Sequence, residues 1–362
     1  MEARGLSDVV GSPAAARERQ ADVDIVLARW FDLARRRAEL LGPEYVALWD
    51  ELRASTEGGK RFRPLMVLSA YAALGGTDRD AAASVGAAFE LLHTALIVHD
   101  DVIDRDFIRR GGPNLAGAYR DRALAAGASE ADAEHRGISA AVIAGDLALT
   151  GAYRMIERSG AADHVRSRLL EVMDEALFAS AAGELIDVDF AAAVEMPRVD
   201  DILSMERLKT AVYSFEGPLQ AGGILAGAPE ETITTLGDFG REIGIAYQIV
   251  DDLLGVFGHE SETGKTTVGD LREGKRTVLV SYATTSEVFD PVRHLVGKAD
   301  LSDAEAELVR RALVACGAKG FAEGLARYYA NRALARLVEP HVPAGLRTEL
   351  HPLADAVLGR VR

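Results

Sequence analysis

Cysteine is almost missing from this 362-residue chain, since Cys316 stands alone. No intramolecular disulfide and no multi-cysteine metal site can form, and a reducing, cytoplasmic setting is expected. Basic charge is also short: 41 Lys and Arg against 56 Asp and Glu leave a formal charge of −15, without any dense Lys/Arg run. Such a surface repels a phosphate backbone, so nucleic acid is excluded as a ligand. A small phosphorylated ligand stays open provided that metal ions neutralise it. The most apolar stretches, such as ISAAVIAGDLALTGAY, meet a charge before they reach about 18 residues, so no membrane span is expected. The opening MEARGLSDVVGSPAAARERQ has no apolar core and does not read as a secretory signal. Hydrophobic residues at 48% exclude a mostly disordered chain, and charged residues at 27% exclude a membrane bundle.

Period-two alternation of β-branched residues is scarce, and alanine makes up about one residue in six, which points to an all-α protein. The apolar spacing predicts helices over about 21–41, 44–56, 62–74, 78–104, 138–158, 162–188, 198–226 and 230–255, then shorter ones over 277–287, 301–316, 319–338 and 345–360. Residues 1–20 read as a flexible tail. Residues 111–137 read as a long mobile loop with room for a short helix, and 256–276 read as loop. No Pro/Ser-rich linker and no repeat divides the chain, so 21–362 is expected to form one domain.

Two acidic clusters carry the chemistry. In LLHTALIVHDDVID, Asp100 and Asp104 are four residues apart and project from one helix face about 6 Å apart, with Asp101 rotated to the side. Like charges so placed repel, and a divalent cation relieves the repulsion; oxygen-only ligands that leave room for water and phosphate suit Mg²⁺. The plainer reading is a solvated helix end. In GIAYQIVDDLLGVFG, Asp251 and Asp252 also end an apolar helical run, but Gly255 stands where a further carboxylate would complete the pattern. Two such clusters facing one another could hold several Mg²⁺. Cations accompany them: Lys60 and Arg63 in GGKRFRP, where Pro64 lies in the first helical turn; then Arg109 and Arg110; then Lys209 beside Thr210; then Lys265 and Lys275. Taken singly, each lysine reads as a solvated surface group; the joint occurrence makes the argument. GHESETGKT imitates a P-loop, but five residues before Gly264 stands His259, so the spacing fails.

The ordered set GGKRFRP, LLHTALIVHDDVIDRDFIRRGGPN, GELID, LKT, YQIVDDLLG and GDLREGKRT resembles the trans-isoprenyl diphosphate synthases, or polyprenyl synthetases. The resemblance is strong over about residues 50–280. It implies a single-domain, all-α isoprenoid synthase fold of antiparallel helices around a cavity, usually a homodimer. The implied reaction joins isopentenyl diphosphate head to tail to an allylic diphosphate (dimethylallyl, geranyl or farnesyl). By motif, Asp100 and Asp104 would ligate two Mg²⁺ and Asp251 a third, with Asp101 and Asp252 in support. Arg109, Lys209 and Lys265 would grip the allylic diphosphate, with Lys275 a further cation at the substrate. Lys60, Arg63, His93 and Arg110 would hold isopentenyl diphosphate. Thr210 and Gln248 would lie beside the reacting carbons. Outside the resemblance, His93 in its apolar run reads as a core histidine.

Two departures stand out. Glu184 occupies a place where the family commonly has glutamine, and Gly255 replaces the last aspartate of the second motif; the resemblance implies that activity survives the latter. A terpene cyclase is disfavoured, because Gly255 and His259 occupy the places of the Ser/Thr and Glu of a cyclase second motif. A silent partner subunit would have lost more motif residues. Upstream of Asp100, the side chains of Leu92, Ala95 and Leu96 would line the path of the growing chain. The family's aromatic residue four or five places before the motif, typical of C15 enzymes, is absent here. The small Ala95 favours geranylgeranyl diphosphate (C20), with farnesyl or longer products as alternatives. Ala95→Phe is therefore expected to shorten the product, resolved by chromatography of the dephosphorylated alcohols; an unchanged length removes the assignment.

Overall fold

The computed structural model describes residues 13–58, 61–109, 111–258 and 268–359. Lys60, Arg110 and Lys265 lie outside the described residues. The expected all-α class is observed. Helices α1 (Pro13–Ala38), α2 (Pro43–Thr56), α3 (Phe62–Ala73) and α4 (Arg79–Ile103) are followed by a two-stranded hairpin, Ile108–Arg109 with Gly112–Pro113. Then come α5 (Leu115–Ala125), α6 (Glu130–Glu157), α7 (Asp163–Ala192), α8 (Val199–Glu206), a π-helix (Arg207–Glu216), α9 (Gly217–Leu225) and α10 (Glu230–Phe257). Shorter helices complete the chain, among them Val278–Ala283, Asp303–Ala315, Ala318–Leu337 and Ala344–Gly359.

The chain forms two compact units. The N-terminal unit holds Ser12–Asp174 with Ala221–Ala228; the C-terminal unit holds Glu175–Gln220 and Pro229–Arg362. In the first, α4 packs along α6 and α3. Small residues permit this: a Cβ on Gly145 of α6 would lie 2.1 Å from Nε2 of His99, and one on Gly86 of α4 would press on Pro64 and Leu68 of α3. Trp30 and Phe31 of α1 pack edge to face with Trp49 of α2. In the second unit, α10 packs against the π-helix and against Ala318–Leu337, where Ala318, Ala322, Ala326 and Ala330 recur every fourth residue with no exposure. That stripe lets two helices approach closely.

Several boundaries differ from expectation. α1 begins at Pro13, so residues 13–20, read as tail, are helical. The sequence AAARERQADV holds no breaker, and Arg19 Nη1 donates to Ser69 Oγ at 2.6 Å, tying the segment to α3. The long loop expected at 111–137 contains α5 and the first turns of α6. Asn114 caps the former by accepting from Gly117 N–H, and Ser129 caps the latter by accepting from Asp132 N–H. The segment 198–226, read as one helix, holds the ten-residue π-helix at its centre. α10 runs on to Phe257, and Gly269–Glu273 is a helical turn inside the expected second loop. α4 is long and apolar enough on composition to cross a membrane, but 78% of its most apolar window is buried inside the protein. It is a core helix.

Candidate active site

The first acidic motif ends α4. Asp101 is 4% exposed, while Asp100 is half-buried and Asp104 exposed. The chain then reverses through Arg105, which adopts a left-handed conformation at φ 59. It enters the hairpin, whose Arg109 turns back on the motif. Arg109 Nε donates to Asp101 Oδ1 at 2.7 Å, and its Nη2 donates to Asp100 Oδ2 at 3.2 Å. Burial pushes the Asp101 carboxyl up from its ordinary pKa, opposed by the Arg109 charge. Burial acts to lower the Arg109 pKa, but the bonds to Asp101 and the charge of Asp100 outweigh it, and the guanidinium is held above its ordinary value.

The second motif repeats the arrangement with a different cation. Asp251 is exposed and Asp252 is 2% exposed. Lys275 Nζ donates to Asp252 Oδ1 at 2.9 Å, and Gln248 Nε2 donates to the same oxygen at 3.4 Å. The Asp252 charge, with that of Asp270, holds the Lys275 pKa above its ordinary value against the opposing effect of burial. Gly255 gains a structural reason here: a Cβ at this position would lie 2.1 Å from Asp270 Oδ2, so the Asp270 carboxylate occupies the space that a longer side chain would need.

A third cation sits in the π-helix. Lys209 Nζ lies 2.6 Å from Asp187 Oδ2 and 3.0 Å from Glu184 Oε2. Gly183 makes this contact available, because a Cβ there would stand 2.2 Å from the Lys209 backbone nitrogen. α7 thus touches the π-helix backbone to backbone. Gly244 of α10 meets Ala211 and Phe215 of the same π-helix equally closely. Thr210 is half-buried beside Lys209, and π-helical backbone is commonly found at functional sites.

Among the described residues, no three His, Cys, Asp or Glu side chains gather to hold a metal unaided. Mg²⁺ keeps several waters and is bound by one or two carboxylates together with substrate phosphates. Asp100 with Asp104 at the end of α4, and Asp251 in the last two turns of α10, offer hard oxygens. The residues fit the ion.

The polyprenyl synthetase family model matches residues 49–313. The chain belongs to the polyprenyl synthetase family. It is a Mg²⁺-dependent prenyltransferase, as the enzymes of that family are. A geranylfarnesyl diphosphate synthase of Aeropyrum pernix is 35% identical over 314 residues, covering 84% of this chain and 91% of its own. An octaprenyl diphosphate synthase of Escherichia coli is 32% identical over 295 residues, covering 79% and 82%. A crystal structure of geranylgeranyl pyrophosphate synthase from Corynebacterium glutamicum, complexed with isoprenyl diphosphate and magnesium, superposes with a TM-score of 0.87 at 29% identity, over 94% of this chain and 98% of that one.

Of the residues selected from sequence, the structure brings Asp100, Asp101 and Arg109 together at the end of α4, and Asp252, Gln248 and Lys275 together along the last turns of α10. Leu92 and Ala95 are buried in the core of the N-terminal unit, and Leu96 is half-buried on the same side of α4. Arg63 and His93 are half-buried. Sequence reading missed Asp187, although its spacing of three from Glu184 on a helix was a usable signal. It also missed Glu206. This residue, the last of α8, is 4% exposed and lies against Asp252. Burial, then the Asp252 charge and a hydrogen bond to Asp252, raise its pKa well above the ordinary 4.5.

A raised acid pKa stabilises the fold fully below the ordinary value of 4.5 and loses that contribution as pH climbs towards the folded value. Urea midpoints measured from pH 5 to 9 are thus expected to fall more steeply for the wild type than for Glu206→Gln, which has no proton to lose. Parallel curves would show that Glu206 is ionised in the native state.

Proposed function

We propose that the enzyme condenses isopentenyl diphosphate with an allylic diphosphate, head to tail, and that its product is geranylgeranyl diphosphate. What supports the reaction is the pairing, in both acidic motifs, of an exposed carboxylate with a buried one fixed by a cation. Asp100, Asp104 and Asp251 would hold Mg²⁺, three ions with substrate bound. Bound there, Mg²⁺ supplies Lewis-acid stabilisation of the leaving diphosphate. By motif, Arg109, Lys209 and Lys265 would bind that anion; Lys60, Arg63, His93 and Arg110 would take the diphosphate of the second substrate, and Lys275 steadies Asp252.

The residues of the chain then act in order. Lys209 exchanges its carboxylate partners for phosphate oxygens, and Arg109 adds a phosphate contact while keeping Asp101, so their charge is placed in advance of the C–O cleavage that needs it. The anion site for isopentenyl diphosphate holds its double bond near the allylic carbon, converting a two-body encounter into a positioned one. The oxygens of Thr210 and Gln248 face the developing cation. The proton lost after C–C bond formation passes to the released diphosphate. Aliphatic walls along α4 exclude water that would quench the cation.

The small side chain of Ala95 supports a C20 product; the names of the relatives, which span C25 and octaprenyl products, make longer chains the outcome to test against. The proposed setting is the cytoplasm, and the proposed assembly a homodimer. Support for the latter comes from Phe178, Leu185 and Val188, which are exposed on one side of α7.

Purified protein given Mg²⁺, isopentenyl diphosphate and each allylic primer in turn is expected to release a C20 diphosphate; no elongation with any primer refutes the reading. Asp100→Ala and Asp251→Ala should each lower kcat by about a thousandfold or more while the helical circular dichroism is kept. Activity within about tenfold of wild type would remove these residues from the metal site. Sedimentation equilibrium at a monomer mass would remove the dimer.

A further inference from the structure

The GGKRFRP segment contains a residue that the substrate map leaves unused. Arg61 sits between Lys60 and Arg63 yet points inward, and it is 7% exposed. It precedes α3 in a left-handed conformation, φ 50 and ψ 38, which a side-chain-bearing residue adopts only when its surroundings impose it. Those surroundings are specific. Arg61 Nη1 donates to Glu90 Oε1 at 3.0 Å and to the Thr56 carbonyl, and Nε donates to Asp24 Oδ1 at 2.8 Å. Glu90 lies on α4, is itself 6% exposed, and its other oxygen meets no hydrogen-bond partner among the described residues. Among the described residues, its buried carboxylate is paired with Arg61.

The pair joins two elements that the functional reading needs in register. Arg63 is the second residue of α3, two places after Arg61; His93 lies one turn beyond Glu90 on α4. Between them, Pro64 of α3 rests on Gly86 of α4, where an added Cβ would come within 3.2 Å of the proline ring. Pro64 on Gly86 and Arg61 on Glu90 are two fixed points along one helix pair, one turn apart on α4. A buried ion pair is a poor source of stability, because apolar replacements of similar volume often fold as well or better. Its worth lies in the geometry it enforces.

We propose that Arg61, through its buried ion pair with Glu90, is a positioning residue for isopentenyl diphosphate, fixing Arg63 and His93 relative to one another. This rests on the assignment of those two residues to that substrate. Removing Arg61 alone would strand the Glu90 charge and risks unfolding, so the test uses Arg61→Met/Glu90→Leu, which removes both charges, and Glu90→Gln, which keeps the shape. Melting by circular dichroism establishes folding; KM for each substrate, and calorimetric affinity for isopentenyl diphosphate alone, give the readout. The double variant is expected to fold, to raise KM and Kd for isopentenyl diphosphate by about tenfold or more, and to move the allylic KM by less than about twofold. Unchanged values for both substrates overturn the proposal, and so does an equal rise in both, which a merely structural role would produce. If the double variant does not fold, Glu90→Gln must show the same split, and its absence there overturns the proposal too. Wild-type protein that binds neither diphosphate refutes the prenyltransfer reading instead.

Discussion

A carboxylate withdrawn from water beside another carboxylate is unstable unless a cation meets it, and the active-site halves of this protein are built around that constraint. An unpaired buried ion costs several kcal/mol. Each acidic motif places one aspartate inside and its neighbours outside, and each supplies the inner one with its own cation. For Asp101 the cation is Arg109, which arrives through a left-handed turn and a two-residue-per-strand hairpin. For Asp252 it is Lys275, 23 residues further along the chain. The inner pairs fix the backbone at the end of α4 and in the last turns of α10. The outer carboxylates, Asp100, Asp104 and Asp251, then stay accessible to ions and water.

The same economy shapes the π-helix. Its extra backbone width is accommodated because Gly183 on α7 and Gly244 on α10 have no Cβ to collide with it. Lys209 is thereby presented next to Glu184 and Asp187, which hold its ammonium. Glu206 lies buried against the aspartate that Lys275 also holds, and its pKa is raised there. Packing, backbone irregularity and charge thus converge on a few side chains.

The acidic motifs and the helical class were legible in the sequence because both depend on local spacing: i, i+4 carboxylates and a 3.6-residue apolar period. The π-helix was not, since it shares that apolar pattern and its widening comes from the neighbours packed on it. The loop expected at 111–137 was misread because glycine and alanine there suggested mobility, whereas Asn114 and Ser129 were cap residues. Gly255 looked like a loss, and only the position of Asp270 shows what fills the space. Arg61 was passed over because a basic residue between two proposed ligands gives no sign in the sequence that it points inward.

The most direct measurement is a crystal of the enzyme grown with an allylic thiodiphosphate and Mn²⁺ in place of Mg²⁺, read by anomalous scattering. The account requires manganese peaks against Asp100 and Asp104 and against Asp251, with Asp101 still on Arg109 and Asp252 still on Lys275. Peaks bound instead by Asp101 or Asp252, or no peak at either helix end, would contradict it.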